Sequence, residues 1–158
     1  MAQNAPTPKT QRPGPTERVP LKHHHGGISV PDLEETIAWY REVLGFEVEK
    51  RFDIPAIPAK VALIRRGELR MEIFEVPGAS PLPEERRHPD QDAHTHGNKH
   101  IAFAVEHVEP MAEELRARGA DIVFIMRASF GANIFIRDNA GNLLEFVEAP
   151  EMWRQEPV

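Results

Sequence analysis

The chain has 158 residues, 41% of them hydrophobic, a formal net charge of −6 and no cysteine. That is enough for one compact domain with a buried core. It excludes disulfides, thiolate zinc sites and cysteine nucleophiles, and it argues against nucleic acid or an anionic membrane as the main partner. No apolar run nears the ~20 residues a bilayer span needs, no secretory-signal layout opens the chain, and the lack of cysteine fits a reducing compartment. The expectation is a cytoplasmic protein that binds a small molecule.

Residues 1–20 carry Pro6, Pro8, Pro13, Pro15 and Pro20 among polar residues, a composition that cannot repay its ordering entropy, and are expected to form a disordered tail. A strand is expected from Lys22 to Val30. Its parity puts His25, Gly27 and Ser29 on one face and His24, Ile28 and Val30 on the other, so the apolar face packs under a helix and His25 looks toward the open side. A helix follows: Asp32 caps it, Glu34 and Glu35 suit its positive end, Ile37, Tyr40, Val43 and Leu44 recur at helical spacing, and Gly45 ends it. Strands are then expected at Phe46 to Lys50, Lys60 to Arg65 and Leu69 to Val76, with a turn at Arg65, Arg66 and Gly67.

Gly78 to Asn98 is a long loop with Pro81, Pro83, Pro89, His88, His94 and His96, of a length that predicts a functional segment flanking or covering a pocket. Beyond it the order repeats. His100 opens a strand with Ala102 and Ala104 on its small-residue face. Val108, Met111 and Leu115 mark a helix ended by Gly119, and strands are expected at Ile122 to Ile125, Ala132 to Arg137 and Leu143 to Glu148. The turn Asp138, Asn139, Ala140, Gly141, Asn142 joins the last two. Each half reads βαβββ, and in each a histidine leads a strand-borne glutamate: His25 precedes Glu72 by 47 residues, and His100 precedes Glu145 by 45. An internal duplication is the simplest reading, and it supplies two imidazoles and two carboxylates.

The words His25-Gly26-Gly27-Ile28-Ser29-Val30-Pro31-Asp32-Leu33, Trp39-Tyr40-Arg41-Glu42-Val43-Leu44-Gly45-Phe46, His100-Ile101-Ala102-Phe103-Ala104-Val105 and Arg137-Asp138-Asn139-Ala140-Gly141-Asn142-Leu143-Leu144-Glu145 resemble the vicinal oxygen chelate superfamily. That group includes glyoxalase I, methylmalonyl-CoA epimerase, fosfomycin and bleomycin resistance proteins and extradiol dioxygenases. The resemblance covers about residues 22–150. It implies an α+β fold in which two paired βαβββ modules, 21–77 and 99–150, joined by the linker 78–98, form a cupped, partly open β-barrel, with 151–158 as a C-terminal tail. It also implies a metal site in which His25, Glu72, His100 and Glu145 fall on the four ligand positions.

Two neutral imidazoles and two carboxylates suit a divalent ion, whether zinc, nickel, cobalt, manganese or iron(II), with coordination positions left for substrate. The implied activity is a metal-dependent lyase or isomerase of glyoxalase type, acting on a small oxygenated substrate through a metal-stabilised enolate, with Glu72 or Glu145 as general base. Two other readings stay open. One is an iron(II) ring-cleaving dioxygenase using His25, His100 and Glu145; the other is a non-catalytic, drug-binding resistance protein, which usually lacks a full ligand set. An epimerase would be expected to carry a further glutamate before the third strand, where this chain has Asp53-Ile54-Pro55-Ala56-Ile57-Pro58-Ala59.

Paired modules of this family often abut between chains, which implies a homodimer. Phe74, Val147 and Phe135 are expected to line the cup, and Trp39, Tyr40 and Leu44 to pack the core. Glu75 and Glu148 are expected to be solvated sheet-edge charges, His23 to lie at the rim, His94 and His96 to be exposed loop residues, and Arg70 and Arg137 to be surface charges.

Overall fold

The computed structural model describes residues 18–129 and 131–154. The expected N-terminal tail therefore lies, from residue 1 to 17, outside the described residues. The duplication is realised as two four-stranded mixed sheets. In the first, β1 (Gly26–Val30), β2 (Glu47–Ile54), β3 (Ala59–Arg66) and β4 (Leu69–Glu75) run in the order β1-β4-β3-β2. In the second, β5 (Ile101–Val105), β6 (Asp121–Ala128), β7 (Gly131–Arg137) and β8 (Leu143–Glu148) run β5-β8-β7-β6. In each sheet the outer pair β1/β4 or β5/β8 is parallel and the others antiparallel. The parallel pairing requires a crossover, and the helices α1 (Leu33–Leu44) and α3 (Val108–Ala117) begin it. Neither sheet closes on itself, and the class is α+β.

Sequence periodicity places the elements but misjudges several ends. β1 starts at Gly26 rather than Lys22, so residues 22–25 precede the sheet. β2 runs on to Ile54 through a register shift between Val48 and Lys50, the bulge that re-phases it against β3. Gly45 takes φ +67°, and the N–H groups of Gly45 and Phe46 close α1 by donating to the carbonyls of Arg41 and Tyr40 at 3.1 Å each.

The helix starts show a shared device. Asp32 caps α1 as expected, its side chain accepting from the Glu35 N–H at 2.9 Å. In addition, Glu75 Oε2 accepts from the Leu33 N–H at 2.9 Å, and in the second half Glu148 Oε2 accepts from the Val108 N–H at 2.9 Å. These glutamates end β4 and β8, and each ties its sheet to the first free N–H of its own helix, where a negative charge is favoured. The expectation that they are solvated charges is corrected: repetition of the glutamate in both halves reflects capping.

One hydrophobic core spans both halves. Ile37, Tyr40, Leu44, Ile64, Met71 and Ile73 pack with Val108, Leu115, Ile134, Ile136, Leu144 and Phe146. Tyr40 is fully buried, and its hydroxyl donates to Asp138 Oδ2 at 3.2 Å, in the β7–β8 turn of the other half. Asp138 also accepts from the N–H groups of Ala140 and Asn142 and from Asn142 Nδ2, so the turn that recognises α1 is organised by the same carboxylate. Asn139 Nδ2 adds a bond to Thr36 Oγ1 at 3.1 Å. At the neighbouring strand edges a Cβ on Gly26 would stand 3.1 Å from Ile101 Cδ1, so β1 and β5 run close together there.

The linker is folded rather than a plain loop. A 3-10 turn (Glu84–Arg87) leads into the short helix α2 (Pro89–Asp92). Buried Asp92 pairs with Arg86 Nε at 2.5 Å. Arg87 donates to the Ala140 carbonyl, and Arg137 Nε donates to the Arg87 carbonyl at 2.7 Å, docking the segment on the β7–β8 turn. Residues 150–153, expected in part as tail, form a second 3-10 turn.

Burial, and then the nearby Asp138 charge, raise the Tyr40 pKa well above the usual phenol value. A group with a raised folded pKa contributes stability that is fully present below its unfolded value, about 10, and lost as pH rises through the folded one. Tyr40→Phe should therefore cost about 1 kcal/mol at neutral pH for the missing hydrogen bond. It should also flatten the fall of stability above pH ~10; urea unfolding of both proteins at pH 7 and 11 measures the two effects. Glu75 has the opposite sign, its pKa lowered first by the Leu33 N–H and then by Lys60. Its contribution is present above the ordinary carboxylate range and lost as pH falls through the lowered value, so Glu75→Gln should reduce the acid sensitivity of the melting temperature.

Candidate functional site

The parallel registers make the two halves equivalent residue by residue. Gly27 lies opposite Glu72, and Ala102 lies opposite Glu145, while His25 and His100 stand immediately ahead of β1 and β5. Each histidine reaches the glutamate of its own half. His25 Nε2 is 3.3 Å from Glu72 Oε2, and His100 Nε2 is 2.9 Å from Glu145 Oε2. The two glutamate side chains are mostly covered, 18% and 14% exposed, and the two histidines are more open at 34% and 31%, so solvent or a small molecule can reach the pairs.

The surroundings of the pairs differ. Phe135 packs edge-on against the His100 ring, with centroids 4.8 Å apart, and stacks in turn near Phe124 at 5.0 Å. Asn133 Nδ2 donates to Glu145 Oε1 at 2.6 Å. In the first half, the His24 and His25 rings lie edge to face, their Nδ1 atoms 2.6 Å apart, one donating and the other accepting. The expectation that His24 packs beneath the helix is corrected: because β1 begins only at Gly26, strand parity does not govern residue 24, and His24 is exposed. Phe74 flanks Gly27, where an added Cβ would meet its ring at 3.6 Å, and Val147 lies opposite Asn133.

Of the residues singled out from sequence, the structure joins His25 to Glu72 and His100 to Glu145. It does not draw all four around one point: among the described residues, no three His, Asp or Glu side chains gather closely enough to hold an ion. The four donors form two half-sites, each imidazole spending its Nε2 on the carboxylate beside it. In type the set suits a divalent cation, since two neutral imidazoles and two carboxylates balance its charge.

Among the arginines, Arg70 is committed to Glu49 at 2.8 Å, and Arg137 to Asp121, the Arg87 carbonyl and His88. Their donors hold the scaffold. His23, His94 and His96 are exposed. A separate cavity of about 530 Å³ is lined by Leu44, Phe46, Phe103, Phe146, Met111 and Trp153, and by none of the four His and Glu residues. Asn133 was not singled out from the sequence, although a signal exists: it is a polar residue on a short strand otherwise read as apolar, two positions from Phe135.

A family model described as the Glyoxalase/Bleomycin resistance protein/Dioxygenase superfamily matches residues 22–146. The chain belongs to this superfamily. Within it, the chain is similar to a 2-epi-5-epi-valiolone epimerase from an Actinomyces species, with 29% identity over 110 residues, 60% of this chain and 57% of that protein. It is also similar to human mitochondrial methylmalonyl-CoA epimerase, with 27% identity over 96 residues, 60% of this chain and 52% of that protein. The chain thus spans about half the length of these curated relatives.

Among solved structures, a glyoxalase family protein from Enterococcus faecalis superposes with a TM-score of 0.68 at 26% identity, covering 80% of this chain and 97% of that one. The trypanothione-dependent glyoxalase I of Leishmania major gives 0.64 at 22% identity, covering 85% and 91%, and supports the fold alone. The superfamily and the glyoxalase-type fold implied by the sequence words are both borne out.

Proposed function

We propose that the chain is a metal-dependent isomerase or lyase that moves a proton at a carbon beside a carbonyl of a small oxygenated substrate. The observation that carries this reading is the pair of equivalent His–Glu contacts, at 3.3 and 2.9 Å, built at matching registers of two repeated sheets. The two epimerases among its relatives favour isomerisation, although the glutamate expected of an epimerase in residues 53–59 is missing.

His25, Glu72, His100 and Glu145 would hold the ion, each imidazole turning its Nε2 from the neighbouring carboxylate to the metal. Bound there, a divalent ion supplies Lewis acidity toward neighbouring substrate oxygens and stabilises negative charge on them. The chain's own part in the reaction is proton transfer. A carboxylate oxygen of Glu72 or Glu145 takes the proton from the carbon next to the carbonyl; the same carboxylate then delivers it to the neighbouring carbon, or the other glutamate delivers a proton to the opposite face of the first carbon. Phe74 and Phe135 flank the pairs with apolar surface, lowering the local dielectric and strengthening each electrostatic contact. Two glutamates in related halves also offer two positions from which one carbon can be reached, which inversion at a stereocentre requires.

Metal-free protein titrated with zinc, nickel, cobalt, manganese or iron(II) should take up one ion per chain, and His25→Ala and His100→Ala should each weaken uptake at least tenfold. The loaded protein should exchange a substrate C–H for deuterium from heavy water in a panel of cyclic ketones, acyl-CoA thioesters and glutathione hemithioacetals, and His100→Ala should abolish the exchange. Equal uptake by wild type and both variants contradicts the ligand set. Oxygen consumption with catechols, in place of deuterium exchange, contradicts the reaction.

A further inference from the structure

The two halves part company at one place away from the His–Glu pairs. Aligning them on Glu72 and Glu145, and on the strand residues opposite, Leu63 and Phe135, sets Arg66 against Asp138, Gly67 against Asn139 and Leu69 against Asn142. The helices align by their first residues, Leu33 and Val108, so Tyr40 matches Leu115 and Thr36 matches Met111. Over α1 the β7–β8 turn fills the space: Asp138 accepts from the Tyr40 hydroxyl, and Asn139 donates to Thr36 Oγ1. Over α3 neither bond has a counterpart, because Leu115 and Met111 carry no hydroxyl and Gly67 no side chain. A Cβ on Gly67 would meet nothing within 4 Å. The space that one half fills with its own chain is in the other the cavity of about 530 Å³, walled by Arg66, Gly67, Leu69 and Met111 and floored by Phe46, Phe103 and Phe146.

That volume lies in the range of small-molecule sites, about 300–1,000 Å³, and the lining selects a ligand. Phe103 and Phe146 are partners in the β5/β8 register with ring centroids 5.7 Å apart, and Phe46 stands 6.0 Å from Phe103, so the floor suits a flat apolar body. At the mouth, Glu114 is paired with Arg118 at 3.1 Å, His107 stands 3.9 Å from Glu148, and Glu106 is exposed. Arg66 donates from Nη1 to the Leu44 carbonyl at 3.0 Å, and among the described residues no carboxylate pairs with it. A guanidinium with donors to spare is a fork that matches a carboxylate. We propose that this cavity is a second small-molecule site, for an aromatic carboxylate whose rings lie on the three phenylalanines and whose anionic end meets Arg66. The site is separate from the His–Glu pairs: Phe146 follows Glu145 in β8, and alternation puts the two on opposite faces of the sheet.

The probe is 2-naphthoate, followed by its own fluorescence and by proton–nitrogen NMR of the labelled full chain. One naphthoate per chain should bind with a Kd below about 1 mM, shifting the amide signals of Gly67 and Met111 and the indole signal of Trp153 while leaving those of His25, Gly27 and Glu72 in place. Replacing the probe by 2-naphthylmethanol, or the protein by Arg66→Gln, should each weaken binding about tenfold for the missing charge-assisted hydrogen bond. Met111→Trp should abolish binding by filling the space; should that variant fail to fold, Arg66→Gln, a change at an exposed residue, still decides. Wild-type affinity in Arg66→Gln, tighter binding of 2-naphthylmethylamine than of naphthoate, shifts centred on the His–Glu pairs, or no saturable binding overturns the proposal. Sedimentation showing a dimer that loses naphthoate binding as it forms gives the cavity to a second copy of the chain, and overturns it too. None of these readouts involves a metal ion, so the metal-dependent reading stands or falls apart from them.

Discussion

The two halves are held together by a seam. Each His–Glu contact is made entirely within one repeat, by a parallel pair of strands, and neither repeat contains more than half of the donor set. What joins the two halves is the buried contact of Tyr40, on α1 of the first, with Asp138, in the β7–β8 turn of the second, together with the close approach of Gly26 to Ile101 and a core shared by both halves. Burial raises the pKa of Tyr40 and of Asp138 alike, a measure of how far from water the seam lies. The turn Asp138 to Asn142 carries a double load, since the linker also docks on it through Arg87.

Within that frame the two halves share their form and differ in what surrounds the paired side chains. The helix caps are the same glutamate used twice, Glu75 and Glu148, and the half-sites are the same histidine and glutamate used twice. Differences gather in what surrounds the donors: His24 against His25 on one side, Phe135 and Asn133 against His100 and Glu145 on the other.

Much of this was legible in the sequence, for physical reasons. Period-two alternation determines which strand residues share a face, and the similar offsets from histidine to glutamate, 47 and 45 residues, pair each histidine with the glutamate it contacts. Alternation loses its force where the backbone leaves the sheet, which is why parity misplaces His24 and extends β1 back to Lys22 when it begins at Gly26. Capping by Glu75 and Glu148 depends on a contact about 40 residues away in the chain, Leu33 to Glu75 and Val108 to Glu148, and no local pattern announces it. The proline-rich composition of 78–98 read as a loop, whereas the tertiary partners Asp92, Ala140 and Arg137 make it ordered structure. Asn133 escaped notice because a single polar residue in a strand is ordinary until its neighbour is known to be a glutamate.

The proposed function requires the two half-sites to close upon one ion. X-ray absorption spectroscopy of the protein loaded with a single equivalent of nickel or cobalt measures this most directly, because imidazole rings give a countable multiple-scattering signature. Two imidazoles together with oxygen donors around the metal, falling to one imidazole in either His25→Ala or His100→Ala, should be found. A shell containing one imidazole in the wild type, or none, would contradict it.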